Sequence, residues 1–315
     1  MLRQLGRVLA AGYILYFFSE RLFWSTFRPL DGLTGNLITW LAYSAAAYVF
    51  LSVVWCFRVR QAHAIFIAGA IYGWLVEGVL AGTLYGTEPS APFPISLSCT
   101  ALSWHALITI LLGWHCARTL LGRNRRLPIL ALASGLGLFW GFWASFQWKE
   151  TPPVITPIWL FGLYGGMLTA LLIGSYWLTE KLDIQHFRPA KTGVIITTLI
   201  HLLFFWGQVT RLGGRPLLIL PPLLLMALCA LRMDSRRAEP SPALSPIHGR
   251  SMKFPTGLLL FAMPLTATGA YAAAMALGDY WIPFHQVIWA VTIPLGAVFL
   301  TGSLVQVLRR NALPD

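Results

Sequence analysis

The stretch YFFSERLFW, Tyr16–Trp24, places a glutamate beside an arginine inside an otherwise apolar run. Two readings of it compete, because Arg3 and Arg7 followed by apolar residues are also the opening of a secretory signal peptide. A signal peptide would end at a small-residue cleavage site. Here the run ends in Ser19-Glu20-Arg21, and further apolar residues follow. The segment is therefore read as an uncleaved first transmembrane helix, and the rest of the chain is read with lipid as its solvent.

Composition agrees with that reading. Of 315 residues, 57% are hydrophobic and 11% charged, with a mean hydropathy of +0.67, whereas soluble domains carry about 25% charged residues. Apolar runs of about 20 residues, enough to cross a hydrocarbon core of about 30 Å, recur along the whole chain. Ten spans are predicted, at 8–27, 36–57, 63–85, 96–117, 128–147, 157–179, 192–209, 216–231, 256–277 and 285–307. The expected fold is an all-α, polytopic integral membrane helix bundle, a single membrane domain over 1–315. Residues 232–255, rich in Arg, Ser and Pro, read as a flexible inner loop.

A net charge of +12 would point to nucleic acid in a soluble protein. The basic residues follow topology instead. With both termini cytoplasmic, 18 of the 23 fall on inner segments, and the outer side keeps only Arg21, Arg28, Lys149, Arg211 and Arg215. This is the positive-inside bias of a ten-span chain, with anionic lipid as counter-ion and no nucleic-acid partner. The four cysteines, Cys56, Cys99, Cys116 and Cys229, have no CxxC spacing.

Two short segments echo each other. YFFSERL at 16–22 matches YWLTEKL at 176–182, and TGNLITWLAY from Thr34 matches TGVIITTLIH from Thr192. The echo pairs span 1 with span 6 and span 2 with span 7, which makes halves 1–155 and 156–315 two inverted five-helix repeats. Such repeats place substrate sites near the bilayer midplane at the repeat interface. In span count and repeat the plan resembles the drug/metabolite transporters. That resemblance concerns architecture and matches no motif of theirs. On this view Glu20-Arg21 and Glu180-Lys181 are helix-end anchors whose charges reach the headgroups, and Glu20 also lies on a helical stripe with Tyr13 and Tyr16.

Charged and imidazole side chains within spans are costly and face protein. Glu77 shares an i, i+4 stripe with Gly69, Gly73 and Ala81, and His105 one with Thr109, Gly113 and Ala117. Both lie eight or nine residues in from the outer hairpin, so adjacent spans 3 and 4 would set them side by side. His201 joins the same layer with Thr197 and Gln208 on its face, and His285 opens span 10 nearer the surface. His63 and His115 sit among arginines at the inner boundary, where an interfacial role is expected. Prolines interrupt spans 8 to 10 at Pro221, Pro222, Pro264 and Pro294, and most of the 14 tryptophans, Trp24, Trp148, Trp159 and Trp281 among them, are expected at the membrane interface.

Three functions remain open. The first is a small-solute transporter with a protonatable outer-half site built from Glu77, His105, His201 and Glu20, its cavity lined by Tyr16, Thr109, Thr197, Gln208 and His285. The second is an intramembrane enzyme acting on a lipid-linked substrate, with zinc on His105, His201 and Glu77, or haem between His105 and His201. The third is a non-catalytic subunit or assembly factor. No motif calls for a cofactor: HExxH, GxSxG, P-loop and dinucleotide fingerprints are absent, and the paired glutamates of membrane-embedded Glu-Glu/His proteases are missing. The partners expected are the lipid bilayer and a small-molecule or lipid substrate.

Overall fold

A computed structural model describes residues 2–27, 32–150, 152–235, 252–277 and 284–312. Arg28, Trp281 and most of the 232–255 loop lie outside the described residues. Ten helices are found among those described: α1 (Leu2–Ser19), α2 (Gly32–Cys56), α3 (Ala62–Ala81), α4 (Ile95–Gly122), α5 (Arg126–Lys149), α6 (Ile158–Lys181), α7 (Lys191–Leu212), α8 (Arg215–Ser235), α9 (Phe254–Leu277) and α10 (Phe284–Ala312). Nine are long and apolar enough to cross a bilayer. The exception is α1.

Successive helices run in opposite directions. At one end Arg7 donates to the Leu182 carbonyl, Tyr48 to Ala190, and Arg310 to Asp234, joining the start of α1 to the end of α6, α2 to the start of α7, and α8 to the end of α10. At the opposite end Ser25 meets Gln147 and Thr156, and Arg211 reaches Ala81. We call these the cationic end and the far end.

α1 is short because its apolar run is split. Its 18 residues span about 27 Å at 1.5 Å per residue, and the helix stops at Ser19, before the Glu20-Arg21 pair. A single 3₁₀ turn, Arg21–Phe23, follows. The predicted first span, 8–27, is thus corrected: beyond Ser19 the chain leaves the α-helix. The freed backbone is satisfied by protein, as Trp140 Nε1 donates to the Trp24 carbonyl and the Ser25 amide donates to Gln147 Oε1. Irregular backbone at membrane depth survives only where protein or a cavity supplies such partners.

Every residue from Ala10 to Ser19 is buried. α1 packs on α2, α4 and α6, and Gly12 lies so close to Ser44 that no methyl group fits between the helices. The same device joins α3 to α4, where Gly73 rests on the Ala101 carbonyl, and α5 to α9, where Gly137 and Gly141 face the carbonyls of Met263 and Ala267. Small residues let backbones approach and gain dispersion contact, the main source of helix association in lipid. Around this centre α7, α8 and α10 form the lipid-facing rim.

Two helices contain π segments. α3 becomes a π-helix over Val76–Ala81, and α4 is π-wound over Cys99–Ala117. In α9 a 3₁₀ turn at Leu259–Phe261 precedes Pro264, whose ring removes one donor and crowds the Leu260 carbonyl. The interior also holds more tryptophan than expected: Trp74, Trp114, Trp140 and Trp143 are buried, whereas Trp159 matches the interfacial expectation at 71% exposure.

Candidate functional site

The end of α1 meets the π-wound parts of α3 and α4. His105 Nε2 lies 2.6 Å from Glu77 Oε1. Both side chains are buried, at 3% and 9% exposure. Burying a carboxylate is tolerable only with its acceptor capacity filled, and the second oxygen, Oε2, accepts the Thr83 hydroxyl. On the other side of the imidazole, Nδ1 is 3.0 Å from Ser19 Oγ. Ser19 in turn reaches the Tyr72 hydroxyl and the Thr109 hydroxyl, each at 3.0 Å. A continuous hydrogen-bonded chain runs from Thr83 through Glu77, His105 and Ser19 to Tyr72 and Thr109.

Local structure explains the placement. Glu77 stands in the first turn of the π segment of α3, four residues from the helix end. The carbonyls at that end have no intrahelical donors. Gln208 of α7 donates to the Val79 carbonyl at 3.2 Å and accepts from Arg211 at 2.8 Å, and the cation also suits the negative end of the helix dipole. The chain then turns through Gly82 at φ +85°, where a side chain would be strained and would strike Arg211 and Gln208. This turn folds Thr83 back onto Glu77. Tyr85 donates to the Gly78 carbonyl and Ser96 to Leu84, so the 82–98 hairpin seals the far side of the pair.

A second polar pair lies beside the break. Tyr43 of α2 donates to Glu20 Oε1 at 2.9 Å, and Tyr16 donates to Asn36 at 2.9 Å. Arg21 is buried at 1% exposure with its guanidinium 5.0 Å from the Tyr16 ring and 5.9 Å from that of Phe27. The headgroup-anchor reading of Glu20-Arg21 is corrected accordingly. The charges turn inward because α1 ends below them and the chain re-enters protein. Lys181 keeps its boundary position over Trp177, but Glu180 accepts the Met252 amide at 2.6 Å and ties α6 to the start of α9.

The remaining predicted residues take separate places. His201 is buried on α7, with Nδ1 2.7 Å from the Thr197 carbonyl and Nε2 enclosed with no hydrogen-bond partner among the described residues. Thr197 bonds its own helix. Gln208 braces the end of α3, and His285 is partly buried at the start of α10, the helix whose Thr292 carbonyl receives the Ser103 hydroxyl. Among the described residues no hydrogen bond joins His201 or His285 to Glu77 or His105, and no three His, Cys, Asp or Glu side chains cluster to hold a metal ion. The four cysteines are unpaired thiols.

Sequence reasoning missed Ser19, Tyr72, Thr83 and Tyr43. Ser19 lay in view, beside the charged pair of the opening stretch. Tyr72 and Thr83 carried no signal, because a helical stripe of period 3.6 excludes Tyr72 and the return of Thr83 depends on a loop. What the arrangement can do chemically is hold and pass a proton: a carboxylate, an imidazole and hydroxyls in one line, shielded from bulk water, at the end of an interrupted helix. No protein-family model, no curated protein and no solved structure matches this chain.

Proposed function

We propose that this multi-pass membrane protein is a small-solute transporter whose proton- or substrate-responsive centre is the Glu77–His105–Ser19 chain. The observation that carries the reading is the end of α1 at Ser19, directly against a buried carboxylate–imidazole pair. Discontinuous helices that end inside the bundle, with carbonyls and hydroxyls facing a titratable group, are how secondary transporters build ion and substrate sites, and π segments concentrate at functional sites. Glu77 is the proton acceptor, His105 its exchange partner, and Ser19 the link to Tyr72 and Thr109. Glu20 with Tyr43, Asn36 with Tyr16, and the unpartnered Nε2 of His201 are the groups available for a solute as the bundle opens.

The two-repeat reading belongs to the same proposal. Spans paired by the sequence echo are antiparallel neighbours: Tyr13 of α1 donates to Leu168 of α6, and Tyr48 of α2 donates to Ala190 at the start of α7. Such pairing supports inverted halves that rock about α1 and α6, with both termini at the cytoplasmic face. The metal or haem enzyme has less support, because both ring nitrogens of His105 are already engaged and His201 stands apart.

The test uses full-length wild-type and Glu77→Gln protein in proteoliposomes with an internal pH dye and a panel of cationic, neutral and anionic solutes. The expected result is solute-driven proton movement in the wild type and its loss in Glu77→Gln, with equal protein incorporation. Solute flux that ignores both the proton gradient and Glu77 would overturn the mechanism.

A further inference from the structure

A second polar cluster lies at the cationic end, away from Glu77. His63, at the start of α3, holds Nε2 3.0 Å from Asp234 Oδ1, and Arg310 of α10 donates to the same oxygen at 3.0 Å. His63 is buried and Asp234 partly buried, their side chains 4% and 10% exposed. A cavity of about 350 Å³ opens beside them between α3, α4 and α10. Its apolar wall includes Phe66, Leu111 and Phe299, and its polar end carries His63, Ser303 and Gln306. The size falls within the usual range of small-ligand sites.

Charge and donor chemistry select the ligand. Asp234 occupies Nε2, so the group that His63 offers to the cavity is Nδ1. As an imidazolium His63 is a donor at Nδ1 as well, and Arg310 offsets the charge of Asp234, so no net negative charge repels a carboxylate. The Ser303 hydroxyl and the Gln306 amide add two further donors. In that form the site holds three donors, which suit a carboxylate. The apolar wall, meanwhile, suits a hydrocarbon chain, and the mouth faces lipid, since Val298 is 63% and Phe299 40% exposed. Phe66 and Phe299, stacked at 5.6 Å, floor the chain's path.

We propose that this cavity is a binding site for a single-chain fatty acid that enters sideways from the cationic-end leaflet, its carboxylate on His63 Nδ1, Ser303 and Gln306. The ligand bridges α3, which carries Glu77 fourteen residues after His63, and the lipid-facing α10. The site stands independently of the transport reading.

The experiment uses the full-length protein in phosphatidylcholine nanodiscs with an anthroyloxy-labelled stearic acid as probe, and the methyl ester of the same probe as control. Saturable binding of the acid is expected, displaced by unlabelled palmitate, with the ester weaker by roughly tenfold or more, the loss of one charge-assisted hydrogen bond. Gly302 borders the cavity with nothing within 4 Å of an added Cβ, so Gly302→Leu fills the space without disturbing packing and should abolish binding. His63→Gln should weaken it by roughly tenfold. Equal binding of acid and ester, or full binding in Gly302→Leu at unchanged thermal stability, would overturn the proposal.

Discussion

α1 and α7 are opposite solutions to life in lipid. α1 opens with two arginines and is the shortest of the ten described helices, yet all of Ala10–Ser19 is buried. α7 is longer and apolar, yet the residues it buries are Thr197, His201 and Gln208, while Leu203 and Trp206 face outward. Hydrocarbon solvates leucine as well as protein does, so apolarity does not draw a helix inward. Small residues that permit contact, and polar groups that need partners, do. The two helices differ accordingly: α1 is held by close packing on every side, α7 by one polar stripe.

That contrast is sharpest for tryptophan. Trp140, fully buried with its ring 5.8 Å from Phe17 of α1, should cost about 3–5 kcal/mol on replacement by alanine, the usual cost of emptying a core aromatic site. Trp206, 63% exposed on α7, should cost no more than about 0.5 kcal/mol. Reversible unfolding in mixed micelles compares them, and similar losses would mean that α7 is not at the rim.

Next in size is Glu77. Replacement by leucine strands a buried imidazole and should cost about 3 kcal/mol. Glu77→Gln keeps an acceptor for His105 and turns the other position into a donor that the Thr83 hydroxyl can accept, so it should stay within about 1 kcal/mol of wild type while losing proton coupling. A Gln variant that unfolds with the Leu variant would assign the pair to structure. Ser19→Ala removes the link between His105 and Tyr72 and is expected to cost about 1–2 kcal/mol, read by the same unfolding assay.

The smallest effect is on the polar stripe of α7. Gln208→Ala frees the carbonyl of Val79 and should destabilise by about 1 kcal/mol, with faster amide exchange confined to the last turn of α3 and the hairpin after it. Faster exchange throughout α7 would show that Gln208 anchors the whole helix rather than bracing its neighbour.

Much of this was legible beforehand because it is local. Glu77 and His105 were recognisable as neighbours from their equal distance to one hairpin and from the glycines on their stripes, and Gly73 does bring α3 against α4. Gln208 and His201 were recognisable as protein-facing, since with Thr197 they make one polar stripe on an otherwise apolar stretch of α7. Glu20 and Arg21 were misread as anchors, because hydropathy treats Tyr16–Phe27 as one run and cannot see Trp140 and Gln147 waiting to receive an unwound chain. His63 read as interfacial, since its partners Asp234 and Arg310 are far away in sequence.

By itself the sequence determined a bundle of apolar helices in lipid, since each helix satisfies its own backbone and announces its length residue by residue. Only the tertiary structure decided where α1 stops, which hydroxyls complete the Glu77–His105 pair, and that an arginine in an apolar run lies inside. These outcomes depend on which side chains from distant segments arrive to pay for a freed amide or a buried charge, and no local pattern records that arrival.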